Sequence, residues 1–340
     1  MSPAEGLVSV IIPAFNAERC LRDAVDSAFN QTYAPIEVIV VNDGSSDATA
    51  EVAAGYGERI VYLEQGNRGQ GAARNAGLRV ARGEFVAFLD ADDYWKSTFV
   101  QTCVEFLRSH PDVIAASTGL ITKMFDGTET LHPYPFCTPE GAAREPFVIE
   151  DFFDFWARYD HVRTGSNVIR RSAIDQAGLQ REDLRIAQDL EYWGYLATFG
   201  KWAFIPVPLW IGNSRQVARR NWLAKYETRR RLCPDVEQWN SRIEPRLRPS
   251  EREGYTRMRG RVAMIYAHNK ILAGARGSAY EVVRKYGRAM PTCTMSRVLR
   301  GAARLGRGGW FLGCQAIYLK EWFKAARLRV GRRQCAGRGA

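Results

Sequence analysis

The sequence predicts an α/β fold: a mostly parallel, Rossmann-like central sheet flanked by helices, followed by a helical basic extension. Three observations carry that prediction. Short apolar runs at 7–12, 36–41, 60–63 and 84–89 alternate with segments of helical periodicity, as in βαβ units. Polar groups (Asn16, Asp43, then Asp90 with Asp92) stand at the carboxyl ends of these runs, where open α/β sheets bind ligands. Charge divides along the chain. Residues 1–200 hold 17 Lys and Arg against 29 Asp and Glu, a net of −12; residues 201–340 hold 31 against 8, a net of +23. The two parts therefore face different partners or each other.

At 340 residues the chain can hold one large domain or two smaller ones with an ample core. Its seven cysteines, Cys20, Cys103, Cys137, Cys233, Cys293, Cys314 and Cys335, are scattered, and none is spaced Cys-x-x-Cys. That pattern predicts a reducing, cytoplasmic compartment, with neither a disulfide framework nor a zinc knuckle. The start lacks a basic stretch followed by an apolar one, so no signal peptide is expected. No run of about 18 apolar residues occurs, so no transmembrane helix is expected.

The first strand-like run, 7–12, stops at Pro13. Phe15 and Asn16 follow, and Ala17, Leu21, Ala24, Val25, Ala28 and Phe29 then recur at helical spacing. The run 36–41 ends in Asn42-Asp43-Gly44-Ser45-Ser46-Asp47, a turn in which Ser46 or Asp47 can cap a helix over 48–56. A third strand, 60–63, leads through a loop with Gly66 and Gly69 into a helix over 70–82 that carries Arg74 and Asn75. The fourth run, 84–89, is apolar from Phe85 to Leu89, which suits a strand buried on both faces.

This fourth strand runs into Asp90, Asp92 and Asp93. In an extended segment Asp90 and Asp92 point to the same side, about 6.5 to 7 Å apart. Their mutual repulsion requires positive charge. On these residues alone two readings stay open: a hard divalent cation that also holds phosphate oxygens, or a solvated acidic turn that starts the next helix. Phe15 can stack on a flat ring. Asp43 can accept from a ring N–H, and Arg74 can complement phosphate or base oxygens. Together these groups describe a nucleoside-diphosphate site. Neither Gly-x-Gly-x-x-Gly nor Gly-x-x-x-x-Gly-Lys-Ser/Thr follows the first strand, so metal rather than a glycine cradle is expected to hold the phosphates.

Four stretches, in order, carry a family resemblance: Val-Ser-Val-Ile-Ile-Pro-Ala-Phe-Asn (8–16), Val-Ile-Val-Val-Asn-Asp-Gly-Ser-Ser-Asp (38–47), Gly-Ala-Ala-Arg-Asn-Ala-Gly (71–77) and Phe-Leu-Asp-Ala-Asp-Asp (88–93). Residues 7–95 closely resemble glycosyltransferase family 2, whose members have the GT-A fold. The resemblance implies that Pro13, Phe15, Asn16 and Glu18 line a nucleoside pocket. It implies that Asp43, with Gly44 and Ser45 beside it, reads the base, usually uracil, and that Arg74 contacts the nucleotide. Asp90-Ala91-Asp92 matches the family's Asp-x-Asp, in which the second carboxylate binds Mn²⁺ or Mg²⁺ and the first contacts ribose or metal-bound water. Asp92 and Asp90 are thus the implied metal residues, and a nucleotide-diphosphate sugar, a UDP-sugar, is the implied donor. Phe15 stands where many members carry Tyr, which keeps the stacking surface and drops a hydroxyl.

Beyond Trp95 the pattern predicts a helix to Arg108 and a strand over 113–117. Residues 121–160, with Pro133, Pro135, Pro139 and Pro146 and several aromatics, read as irregular, an insertion or lid near the acceptor. His132 and His161 have no ligand partner at helical spacing and are expected on the surface or in the core. Residues 164–169 resemble the family's acceptor-facing strand, and a short helix over 172–177 follows. Gln188-Asp189 resembles the family's Glu-Asp motif, with Gln188 replacing Glu, which implies that Asp189 is the general base. On its residues alone, Asp189 reads as the cap of a helix over 190–199, and the resemblance reverses that reading; Asp183 and Glu191 are the other carboxylates nearby. The apolar run 201–211, interrupted by Pro206 and Pro208, closes the catalytic fold. Arg215, Arg219 and Arg220 follow, where family members often place an arginine near the diphosphate.

This reading divides the chain into a catalytic domain, 1–215 (donor binding 7–95, acceptor and base 96–215), and a helical basic region, 216–340. Helices are expected over 221–245, 250–275 and 277–290. Residues 296–330 mix arginines and lysines with Trp310, Phe311, Leu312, Ile317, Tyr318, Trp322 and Phe323. That mixture suits a helix on an anionic membrane surface; a solvated basic face packed on the domain is the other reading. No nucleic-acid motif is evident, so nucleic acid is not an expected partner. Residues 331–340 are expected to be disordered. The implied activity is metal-dependent, inverting transfer of a sugar to a hydroxyl of a saccharide or lipid-linked acceptor, in surface polysaccharide synthesis at the inner face of the cell membrane. A sugar-nucleotide nucleotidyltransferase would need a glycine-rich Arg/Lys loop that residues 13–19 lack. A non-catalytic nucleotide-sugar-binding protein would discard the base.

Overall fold

The computed structural model describes residues 3–123, 128–133, 135–138, 141–142, 145–184, 187–213 and 236–336. The chain forms two compact units, residues 1–124 with 128–217, and 125–127 with 218–340. The expected arginines Arg215, Arg219 and Arg220 lie outside the described residues.

In the first unit, β1 (Ala4–Ala14), α1 (Leu21–Phe29), β2 (Ile36–Asn42), α2 (Thr49–Ala54), β3 (Ile60–Glu64), α3 (Gln70–Val80) and β4 (Gly83–Phe88) alternate as the sequence predicts. The four strands lie parallel in the order β3-β2-β1-β4. Residues Val8 to Ala14 of β1 are all buried, because helices cover both faces of the sheet. Gly77 lets α3 lie close on β1: a Cβ there would come within 2.5 Å of Ile11 Cγ2.

The sheet then turns mixed. After β5 (Tyr94–Trp95) and α4 (Phe99–Ser109) come β6 (Val113–Lys123), β7 (Glu129–His132), β8 (Cys137–Thr138), β9 (Gly141–Ala142), β10 (Phe147–Ile149), α5 (Phe152–Tyr159), β11 (Asn167–Arg170), α6 (Arg171–Ala177), α7 (Gln188–Leu196) and β12 (Lys201–Asn213). The sheet extends from β4 through β11, β6 and β12 to β10, with β11 antiparallel to both its neighbours. β12 runs parallel to β6 and continues through Pro206 and Pro208, with register shifts between Ile205 and Pro208 and between Pro208 and Trp210. Proline lacks the N–H that the ladder needs, so the strand slips there rather than stopping.

The stretch read as irregular is substantially ordered. Asp151 caps α5 by accepting from the N–H groups of Phe153 and Asp154 at 3.0 Å each. Phe152, Phe153 and Trp156 are buried, and Phe136, Phe147, Phe155, Tyr159 and Phe204 form one aromatic cluster. His161 is fully buried against Phe152, Phe155 and Phe204, a core histidine, while His132 is exposed on β7. Alternation of large rings, rather than a polar loop composition, is what made this region a packed layer.

The second unit is helical: α8 (Glu237–Ile243), α9 (Arg252–Leu272), α10 (Arg276–Tyr286), α11 (Thr294–Arg304) and α12 (Gly306–Ala336). Trp239, Tyr255, Met258 and Tyr266 are buried in it, and the Tyr255 hydroxyl donates to Asn240 Oδ1 at 2.7 Å. The helix expected over 296–330 is two helices, because Gly306 (φ 71°) turns the chain. The second of them reaches Ala336, past the start of the expected disorder. No described helix is long and apolar enough to cross a membrane.

Candidate active site

Parallel pairing aligns the ends of β1, β2 and β4: Ala14 pairs with Asn42, and Ile11 with Phe88. Phe15 and Asn16, Asp43, and Asp90 to Asp92 therefore leave the sheet at one edge. Pro13 is buried, whereas Phe15 is half exposed, an aromatic face open for stacking.

At the β2 exit the polar groups are engaged with one another. Asn16 adopts φ 50° and its Oδ1 accepts from the Ser46 N–H at 2.9 Å. The Asn16 N–H donates to Ser45 Oγ at 2.9 Å, and Glu18 Oε2 accepts from the Ala48 N–H at 3.2 Å. Asp47 accepts from the Thr49 N–H at 3.1 Å, but the cap position of α2 is Ala48, with no side-chain cap bond, so neither Ser46 nor Asp47 is the cap expected from the sequence. Asp43 is buried and its carboxylate accepts three hydrogen bonds. Oδ1 takes Gln65 Nε2 at 2.7 Å and the Arg68 N–H at 2.8 Å; Oδ2 takes the Gly69 N–H at 2.8 Å. Two oxygens offer about four acceptor positions, so these three bonds leave one on Oδ2 unfilled. Gly44 (φ 74°) sits so close to the returning loop that a Cβ would stand 2.8 Å from the Asn67 nitrogen.

At the β4 exit the groups are underused. Arg74 is buried and donates Nη2 to Asp90 Oδ1 at 2.7 Å. Its Nε and Nη1, equally buried, meet no hydrogen-bond partner among the described residues. Buried guanidinium donors without acceptors are costly and point to a missing anion. Burial, and then the charge of Asp90, push the Asp92 carboxyl above its ordinary range. Burial pushes the nearby Cys20 thiol up to about 12, with Asp92 the largest of the charges that add to it. Asp92 makes no ion pair among the described residues. A divalent ion there would relieve both effects. No trio of His, Cys, Asp or Glu among the described residues could enclose a metal on its own, so such an ion would complete its shell with phosphate and water oxygens. Ala91 is buried between the two carboxylates. Asp93 donates its N–H back to the Asp90 carbonyl at 3.0 Å and so closes the turn.

Asp189 lies in the first turn of α7, which begins at Gln188 rather than at 190. The cap position belongs to Ala187, whose φ of 61° is an uncommon left-handed conformation for alanine. Asp189 is half-buried, and its Oδ2 accepts from the Thr164 hydroxyl at 3.3 Å. Burial weakens the Arg163 charge, but Asp160 and, more weakly, Asp189 outweigh it and hold the Arg163 pKa above its ordinary value. Asp183 instead pairs with Arg181 at 2.9 Å.

The structure ties the segments around Gln180 and Gln188 to the sheet edge at Asp43 through α3, a link the sequence did not reveal. Asn75, in the third motif, makes a two-way pairing with the backbone of Gln180: Nδ2 donates to the carbonyl and Oδ1 accepts the N–H, both at 2.9 Å. Glu182 accepts from Arg68 at 2.6 Å and from Asn75 at 3.1 Å. The Asn75 bond leads in holding the Glu182 carboxyl below its ordinary range, helped by Arg68 and Arg79. Gly71 allows Gln188 to pack on the first turn of α3, where a Cβ would stand 3.2 Å from Gln188 Cγ. The Asp43-bound Gly69 precedes that same turn. Asn75 carried a visible motif but no visible role; Glu182 carried no signal in sequence.

The model of glycosyl transferase family 2 matches residues 9–177. The glycosyltransferase GlyA of Streptococcus pneumoniae serotype 4 is 46% identical over 98 residues, covering 28% of this chain and 14% of that protein. The putative glycosyltransferase EpsH of Bacillus subtilis is 41% identical over 108 residues, covering 31% and 30%. The match thus spans about a third or less of these relatives. Among solved structures, Staphylococcus aureus TarS residues 1–349 in complex with UDP-GlcNAc superposes with a TM-score of 0.60 at 16% identity, covering 93% of this chain and 92% of that one. The mannosyltransferase PcManGT from Pyrobaculum calidifontis, in complex with GDP-Man and Mn²⁺, gives 0.54 at 19% identity, covering 92% and 86%. These likenesses show the GT-A fold that the strand order had already outlined. Across residues 9–177, the chain belongs to glycosyl transferase family 2.

Proposed function

We propose that this protein is an inverting glycosyltransferase that moves a sugar from a UDP-sugar to a hydroxyl of a saccharide or lipid-linked acceptor in surface polysaccharide synthesis. The observation that carries this reading is the β4 exit, where a buried Arg74 with two unspent donors stands on Asp90 beside a destabilised Asp92. The pairing of arginine donors with free carboxylate capacity suits a diphosphate held with a divalent ion. Structural likeness to proteins solved with UDP-GlcNAc, and with GDP-Man and Mn²⁺, supports a nucleotide sugar and a divalent ion.

Phe15 offers its face to the base, and the open position on Asp43 Oδ2 takes a base N–H. Pro13, Asn16, Glu18, Gly44 and Ser45 shape the nucleoside side of the pocket. Arg74 takes phosphate oxygens with its two remaining nitrogens. Asp92, with Asp90, would hold Mn²⁺ or Mg²⁺, which when bound supplies positive charge against the diphosphate leaving group. Asp189, oriented by Thr164, accepts the proton of the acceptor hydroxyl as that oxygen attacks C1 opposite the departing nucleotide, and the anomeric centre inverts.

The test is a nucleotide-sugar screen on the purified full chain with Mn²⁺, read as nucleoside-diphosphate release, with Asp189→Asn beside it. The variant should keep donor affinity and lose transfer by about 10²-fold or more. Near-normal turnover would move the base elsewhere. Release of a nucleoside triphosphate that requires added pyrophosphate would instead identify a nucleotidyltransferase.

A further inference from the structure

We propose that the outer face of α12 is a docking surface for an anionic lipid bilayer, on which the helix lies in the plane of the headgroups. The helix has two apolar faces. Trp310, Cys314 and Ile317, spaced by four and three residues, form the inner face and are buried. The Trp310 indole donates to the Arg276 carbonyl at 2.9 Å and its ring meets Tyr280 at 5.4 Å, so this face is held by α10.

The opposite face should be polar in a helix that ends at the protein surface. Instead Leu312, Leu319 and Phe323, spaced by seven and four residues, make one exposed stripe, and Phe311 and Trp322, eleven apart, make a second beside it. Leu312 is 69% exposed, and Leu305, at the turn into the helix, 76%. From Leu312 to Phe323 the stripe runs about 17 Å. Exposed apolar stripes of this length mark interaction surfaces.

The charge around the stripe selects the partner. Arg297, Arg304, Arg307 and Lys320 are exposed on the same two helices, and Arg276 lies over the Phe311 ring at 5.0 Å. Residues 201–340 carry a net of +23. A second copy packed face to face would set these cations against their own equivalents. An anionic bilayer instead offers apolar depth for the stripe and phosphate for the flanking cations. The helix lies on the bilayer and does not cross it, since no described helix is long and apolar enough to span one.

The experiment is flotation of the full chain with vesicles of phosphatidylcholine alone or with 30% phosphatidylglycerol, at about 0.1 M salt. The wild type should float with the anionic vesicles, release at high salt, and stay down with neutral ones. Leu312→Glu with Leu319→Glu changes only exposed side chains and should cut flotation at least tenfold while circular dichroism is unchanged. A second variant, Arg304→Glu with Arg307→Glu, should weaken binding to anionic vesicles selectively. Equal flotation of wild type and both variants would overturn the proposal. So would a concentration-dependent dimer in sedimentation that the leucine variant abolishes while flotation persists.

Discussion

The exits of β2 and β4 put carboxylates on the same edge of one sheet and treat them in opposite ways. Asp43 is saturated to within one acceptor position by a side-chain amide and two backbone amides of the loop it organises. Asp92 has no ion-pair partner among the described residues, and its neighbour Asp90 raises its pKa further. The first arrangement is framework. The second leaves a carboxylate whose charge the described residues do not offset. A carboxylate's chemistry is thus set by how much of its demand the chain itself meets.

That contrast can be broken by substitution. Asp92→Ala should leave the fold intact and weaken Mn²⁺-dependent UDP binding by roughly 100-fold or more, since even outer-shell partners of a metal account for 10- to 100-fold; titration calorimetry with and without metal reads it. Unchanged affinity would remove Asp92 from the metal site. Asp43→Ala should do the reverse. It strands the Arg68 and Gly69 amides and should cost about 3 kcal/mol, or roughly 6 to 12 °C in Tm, before any effect on base recognition. A variant as stable as the wild type would mean that the 65–69 loop has other support.

The smallest effect is the most diagnostic. Because the folded-state pKa of Asp92 is raised, the fold favours its protonated form. Stability from this group is therefore present at low pH and lost as pH rises through that pKa. Asp92→Asn should accordingly raise the metal-free Tm at neutral pH by about 1 to 2 °C and lose the Tm gain that Mn²⁺ gives the wild type. A lowered metal-free Tm would show that the carboxylate is already satisfied.

The donor half was legible because its signals are local. The runs 7–12, 36–41 and 60–63 became β1 to β3 with extended boundaries, 84–89 became β4 shifted one residue earlier, and the motif residues landed at one edge because parallel strands share their direction. The region 121–160 is more ordered than its prolines suggest, because Phe136 packs on the distant Phe204 and Phe152 on the distant Trp202. Asp189 looked like a helix cap at 190; the chain enters α7 two residues earlier through a left-handed Ala187, which no propensity would favour.

The sequence by itself determined the alternation of strand and helix, the order of the four motifs, and the separation of acidic and basic parts, since each follows from neighbouring residues and their spacing. Only the tertiary structure decided how carboxylates of the same residue type divide their work. Asp43 became framework because a loop returns to it from 65–69. Asp92 stayed open because Arg74 reached Asp90 instead. Asn75 became the tie to the segment before α7 because Gln180, 105 residues away, came to lie against it. Those outcomes depend on which groups meet through space, and spacing along the chain does not encode that.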